Sequence, residues 1–277
     1  MKIPFWNEHK SKGFPVEAAC CNHIGKKRKN NEDNFFFQGQ ILPMENEGLS
    51  GKAFYWKGNS KKGVSLAVFD GMGGEEDGEI ASYLAAHTFS QIQNNELLIK
   101  EMPKEKALKE DMPEAFLKKT VLEMNQAVFE ESQKRFCSMG STTVILYIKD
   151  EKVFVCNVGD SKAFLAGEEL VQLSKDHTDE AFLREHGITD RKPVLSQYLG
   201  ADPEELMLEP FFMEKEIERG DCFLLCSDGL TDMLSGEQIL HILREEDSAK
   251  ACAEHLVQEA LDHGGYDNMT VMVVKMK

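Results

Sequence analysis

Seven short apolar runs punctuate the chain: "VEAACCNHI", "DNFFFQ", "VSLAVFD", "STTVILYI", "KVFVCNV", "DCFLLCS" and "MTVMVVK". Each is rich in the branched and aromatic side chains that fit a pleated surface, so each is expected to be a strand. Only Lys149-Asp150-Glu151, give or take a residue, separates "VILYI" from "KVFVCNV", which predicts an antiparallel hairpin; "KAFLAGEELVQL" reads as a second, turning at Gly167. Helical spacing links Ala81, Leu84, Ala85, Thr88, Phe89 and Ile92, and again Leu117, Val121, Met124 and Val128. Two further helices are expected over "SGEQILHILREE" and "DSAKACAEHLVQEALDHG". Hairpin-linked strands with helices in separate blocks give an α+β class rather than alternating parallel units. Near-continuous apolar strands such as "VFVCNV" need cover on both faces, which predicts two packed antiparallel β-sheets with α-helices outside, a four-layer sandwich.

With 277 residues and no linker or low-complexity tract, the chain is expected to hold one domain over residues 16–277, preceded by a short tail at 1–15. No internal repeat divides it. Nothing approaches the ~18 consecutive apolar residues of a membrane span, and "MKIPFWNEHKSKGF" lacks the apolar middle of a signal peptide, so a cytoplasmic location is expected. Seven cysteines, with Cys20 and Cys21 adjacent, speak against a disulfide framework, and no Cys-x-x-Cys spacing suggests zinc. A net charge of -16 argues against a nucleic-acid partner and is compatible with a site that gathers cations.

The apolar runs end on acids. Asp70 closes "SLAVFDG", Asp160 follows "VFVCNVGDS", Asp228 closes "CFLLCSDG", and Asp267 in "GGYDNMTVMVV" stands just before a strand; "RKNNEDNFFF" adds Glu32 and Asp33. Aspartate at a strand end is also an ordinary turn residue, and the Gly-rich, acidic "DGMGGEEDGEIAS" would serve as a plain strand-to-helix turn. Gathered into one cleft, such carboxylates would repel one another unless cations neutralised them. An all-oxygen set favours hard ions such as magnesium or manganese over zinc.

In this order, "GKKRKNNED", "VFDGMGG", "MGSTTV", "NVGDSKAFL", "LSKDHT", "CSDGLTDML" and "YDNMTVMVV" resemble the motifs of the metal-dependent, type-2C protein serine/threonine phosphatases, with the methionine of "VFDGMGG" pointing to the bacterial branch. The resemblance spans Gly25 to Val274. It implies a sandwich of two antiparallel sheets flanked by helices, and hydrolysis of phosphoserine and phosphothreonine esters by water at a two-metal centre of Mn2+ or Mg2+ without a covalent phosphoenzyme. By the same resemblance Asp70 bridges the metals, the Gly71 carbonyl is a further ligand, and Asp228 and Asp267 hold the second ion. Glu32 and Asp33 bind metal directly or through ordered water, and Asp160 helps hold a third, weaker ion. Arg28 stands at the family's phosphate-clamp position, where a guanidinium can hold two phosphate oxygens in its fork; Lys26, Lys27 and Lys29 beside it read as a solvated basic patch. The implied partners are phosphorylated proteins and a cognate Ser/Thr kinase pathway, with no membrane and a monomeric chain.

Two positions depart from the commoner pattern. Met72 stands where many eukaryotic members carry a histidine, so protonation of the leaving group is unassigned. The stretch Asp176 to Leu195 falls where relatives have a mobile flap beside the active site; an ordinary surface helix and loop explains it equally well. His177 reads as structural rather than as an acid, Asn268 as an orienting rather than a catalytic group, and Lys162 occupies a position where arginine is frequent. No cysteine begins the Cys-x5-Arg loop of cysteine phosphatases, and no Walker-type loop favours a nucleotide. A catalytically silent binding protein on this fold and a hydrolase of small phosphoesters are the competing readings; the first predicts an eroded ligand set.

Overall fold

The computed structural model describes residues 13–49, 52–73, 77–94 and 112–277. Residues 1–12 of the expected tail, and Gly74, Glu75 and Glu76 of the acidic turn after Asp70, lie outside the described residues.

Among the described residues, twelve strands form two antiparallel sheets. The first contains β1 (Pro15–His23), β3 (Phe54–Asn59), β8 (Lys162–Ala166), β9 (Leu170–Gln172), β11 (Cys222–Cys226) and β12 (Met269–Met276), in the order β3-β1-β12-β11-β8-β9. The second runs β10-β7-β6-β4-β2, built from β2 (Asp33–Phe37), β4 (Val64–Gly73), β6 (Thr143–Lys149), β7 (Lys152–Val158) and β10 (Phe211–Glu216), with the short β5 (Met139–Ser141) pairing with the end of β4. The helices among the described residues are α1 (Asp77–Asn94), α2 (Met112–Arg135), α3 (Glu180–Glu185), the single turn α4 (Asp228–Thr231), α5 (Gly236–Glu245) and α6 (Ala249–Asp262).

The alternation of a strand explains why the runs are apolar throughout. In β4, Leu66 and Val68 face the core between the sheets, whereas Ala67 and Phe69 face α1 and α2. In β11, Phe223 and Leu225 turn inward, and Cys222, Leu224 and Cys226 pack under α5 and α6. Both faces are buried, so no polar alternation survives, and the result is the expected four layers.

The hairpin of β6 and β7 forms with Lys149 opposite Lys152 and Asp150 at φ 54, so the turn is one residue tighter than the three-residue gap suggests. The turn at Gly167 forms between Ala166 and Leu170. The run "STTVILYI" is not one strand: Thr142 interrupts it, and Met139–Ser141 pairs separately with Gly71–Gly73. Strands β3 and β10 have no counterpart among the runs singled out from the sequence.

Antiparallel pairing brings the acidic strand ends together. Asp33, at the start of β2, lies opposite Asp70 in β4. Asp160 follows β7, Asp228 follows β11, and Asp267 precedes β12, which is antiparallel to β11, so all of them meet at one end of the sandwich.

Candidate metal centre

At that end Arg28, Glu32, Asp70, Gly71, Asp160, Asp228 and Asp267 line one cleft of ≈ 280 Å³, together with Met72, Gly73, Thr142 and Leu195. Seven separate stretches of chain supply this lining. Of the predicted metal-ligating and phosphate-binding residues, only Asp33 is not on the wall.

Asp70 is set by its backbone. Its N–H donates to Thr142 Oγ1 at 3.1 Å, its carbonyl accepts from Thr142 N–H at 2.8 Å, and Thr142 Oγ1 lies 2.6 Å from Ser161 Oγ. Thr142 is the residue that sequence reasoning missed; the signal was a polar Ser-Thr-Thr inside an otherwise apolar run. Gly71 has extended backbone, and a Cβ there would lie 2.0 Å from the Gly78 carbonyl oxygen and 2.6 Å from that of Glu32. The glycine is therefore required by the close approach of α1 and of the Glu32 backbone, in addition to any approach of a metal. Gly71 N–H donates to the Glu32 carbonyl at 3.0 Å, which ties the two candidate ligand stretches together.

Asn268 orients backbone, as expected. Its side chain accepts from Glu32 N–H at 2.8 Å and donates to the carbonyls of Ile24 and Asn30 at 2.8 and 2.9 Å, bracing the loop that carries Arg28. Arg28 Nη2 lies 2.7 Å from Asp267 Oδ2, and Nη1 3.7 Å from Glu32 Oε2. The guanidinium is thus held at the mouth by two of the carboxylates it borders.

Asp33 sits behind the wall, 1% exposed. Its Oδ2 accepts from Ser227 Oγ and Thr270 Oγ1, both at 2.7 Å, and its Oδ1 is buried with no hydrogen-bond partner. His177 is 6% exposed and turned to the backbone: Gly159 N–H donates to its Nδ1 at 3.2 Å, and the His177 backbone N–H donates to the Gly159 carbonyl at 3.0 Å. With burial lowering its pKa, this is a neutral, structural imidazole. Lys162 Nζ donates to the Asp160 carbonyl at 3.2 Å and pairs with Asp176. Of the stretch 176–195, Leu195 alone reaches the cleft wall.

Burial, and then repulsion from neighbouring carboxylates, pushes Asp70 well above the ordinary carboxylate range and raises Asp228 to about 6. Burial also raises Asp33, against its two hydroxyl donors. Glu32 and Asp160 are raised by burial, opposed by Arg28 and Lys162 respectively. In its ionised form such a set is comfortable only with cations among its oxygens. Among the described residues, no three carboxyl, imidazole or thiol side chains close a metal cage by themselves. The donors instead border an open cleft, an arrangement that suits an ion which keeps several waters and takes few carboxylates, as Mg2+ and Mn2+ do. The unpartnered Asp33 Oδ1 and the all-oxygen donor set fit the same ions.

A family profile described as "Protein phosphatase 2C" matches residues 52–264. The chain is 29% identical over 231 residues to a serine/threonine phosphatase Stp of Listeria innocua, covering 78% of this chain and 86% of that one. It is 28% identical over 271 residues to the protein phosphatase PhpP of Streptococcus pneumoniae, covering 94% and 98%. Among solved structures it resembles the Mycobacterium tuberculosis serine/threonine phosphatase PstP/Ppp, with 26% identity, a TM-score of 0.72 and coverage of 95% and 99%. The catalytic domain of PstP in complex with two manganese ions gives 27% identity, a TM-score of 0.69 and coverage of 94% and 98%. The sandwich, the acids gathered at its end and the match across most of the chain have one explanation: this chain belongs to the protein phosphatase 2C family.

Proposed function

We propose that the chain removes phosphate from phosphoserine and phosphothreonine side chains of proteins by direct attack of water, with the acidic cleft as its active site. The observation that carries this reading is the meeting of Arg28, Glu32, Asp70, Gly71, Asp160, Asp228 and Asp267, distant in sequence, on one cleft wall. Asp70 and the Gly71 carbonyl would hold a pair of Mn2+ or Mg2+ ions, with Glu32, Asp228 and Asp267 completing the set and Asp160 serving a third ion. Ions bound there supply Lewis acidity towards phosphoryl oxygens and make a coordinated water more acidic. Arg28 binds two phosphate oxygens through its planar fork, exchanging Asp267 for the substrate. Asp33 holds the metal side of the cleft from behind, braced by Ser227 and Thr270. Met72 brings no titratable group to the wall, so it does not protonate the leaving oxygen, and water held by the bound ions would supply that proton.

A catalytically silent protein on this fold would have lost ligands, whereas every expected position keeps its oxygen donor. A cognate Ser/Thr kinase is the partner that this reaction requires. The seven cysteines are all unpaired, which supports a reducing, cytoplasmic setting. Among the described residues no helix is long and apolar enough to cross a membrane.

The test is release of phosphate from a phosphothreonine peptide and from p-nitrophenyl phosphate, with and without Mn2+, beside Asp70→Asn. Mn2+-dependent release should fall on the order of a hundredfold or more in the folded variant. A folded, Mn2+-bound wild type that releases nothing would move the silent binding protein to the front.

A further inference from the structure

The stretch behind Leu195 forms a lobe closed on itself. Asp179 N–H donates to the Val194 carbonyl at 3.0 Å, and Val194 N–H donates to Asp179 Oδ1 at 2.8 Å, so residues 180–193 leave and return through one neck. Arg191 pairs with Asp179, and Arg184 with Glu180, inside the lobe. Among the described residues, one ion pair joins the lobe to the rest of the protein: Lys192 Nζ lies 3.0 Å from Asp232 Oδ2. The Lys192 side chain is otherwise in solvent, 88% exposed.

Asp232 stands one helical turn, about 6 Å along the axis, beyond Asp228, so Lys192 is paired one turn away from a candidate metal ligand. Asp228 and Asp267 both act on its charge. On the loop of Arg28, Lys27 and Lys29 are exposed with no acidic partner among the described residues. Lysines thus flank two of the stretches that line the cleft of this strongly acidic chain, the loop of Arg28 and the turn of Asp228. A peptide whose phosphate sits at the centre, between Arg28 and the carboxylate-borne cations, would pass Lys192 within one to two extended residues, at about 3.3–3.6 Å each.

We propose that Lys192 is a specificity-determining residue that selects phosphopeptides with an acidic side chain one or two positions from the phosphorylated residue, exchanging Asp232 for that carboxylate as the peptide enters. The inference rests on the phosphatase reading. Neither partner of the exchange is deeply buried, so the swap costs little desolvation, and the discrimination is that of an exposed ion pair.

Two phosphothreonine peptides of equal length, with Asp or Asn at the two positions on each side of the phosphothreonine, would be compared by kcat/KM on the full chain with Mn2+. Wild type should favour the acidic peptide roughly twofold to fivefold, with the ratio shrinking as salt is raised. Lys192→Ala should bring the ratio to about one, Lys192→Glu should invert it, and Lys192→Arg should keep it. A wild-type ratio of one, or the same ratio in Lys192→Ala, overturns the inference while both peptides still release phosphate. No release from either peptide, or from p-nitrophenyl phosphate, overturns the phosphatase reading and the inference with it.

Discussion

Gly71 has no room for a methyl group, and the atoms that exclude it are backbone. The Gly78 carbonyl oxygen and carbon would lie 2.0 and 2.5 Å from a new Cβ, and neither can rotate away as a side chain would. Gly71→Ala should therefore push α1 from β4 and lose about 3 kcal/mol or more of stability, at the upper end of overpacking costs; urea unfolding of the metal-free chain reads this without any activity assay. A change of a few tenths of a kcal/mol would show that the helix gives way easily. The Asp-Gly pair was legible in the sequence because a carboxylate that ends a buried apolar run is unusual enough to notice. The full reason for the glycine was not, because it depends on Gly78 and Glu32 arriving from other stretches. Thr142 was hidden for a related cause: a hydroxyl that holds one backbone group looks, in sequence, like any polar residue at a strand end.

Elements add what single residues lack. Asp33 opens β2 in one sheet, whereas its two hydroxyl donors stand at the end of β11 and in β12 of the other, so one buried carboxylate links the sheets at the end where the site lies. Thr270→Val keeps the shape and removes one donor to a buried acid. It also takes away the acceptor of the Asn22 side-chain amide, a bond of 2.8 Å. The expected loss is about 1–3 kcal/mol, read by urea unfolding, together with weaker Mn2+ binding in a calorimetric titration. Unchanged stability would mean that the inter-sheet link is dispensable. The strands of this frame were legible wherever both faces are buried, since a short, complete apolar run rich in branched and aromatic side chains, bounded by turn residues, favours a strand over a buried helix. Strand β3 was not: "FYWKGN" is an edge strand with only one neighbour, its residues half-buried or exposed, and it carries little of that signal. Strand β10, "FFMEKE", fails for the same reason at the edge of the other sheet.

At the scale of the whole molecule, the order of strands across each sheet was beyond the sequence, because β1 lies beside β12 and β11 beside β8 through pairings of long separation. Their consequence is a concentration of negative charge at one end of a chain whose net charge is already -16. Folding raises Asp33 from 3.8 to about 7 and Asp228 from 3.8 to about 6, in both cases first through burial. Between about pH 4 and pH 7 the metal-free folded chain thus binds more protons than the unfolded chain. The stability these neutral carboxyls contribute is fully present below the unfolded pKa and is lost as pH rises through the folded values. Divalent cations replace those protons and bind the folded state alone, so they should stabilise more as pH rises. Melting of EDTA-treated protein should show Tm falling from about pH 5 to about pH 7.5, while saturating Mn2+ flattens or reverses the slope and the gap between the curves widens with pH. Asp70→Asn removes one of the repelling charges and should narrow that gap from both sides, by raising the metal-free curve and weakening the metal-bound one. Parallel curves for wild type with and without Mn2+ would mean that the acids are already neutralised without a cation, and the electrostatic case for this cleft as a metal centre would fail.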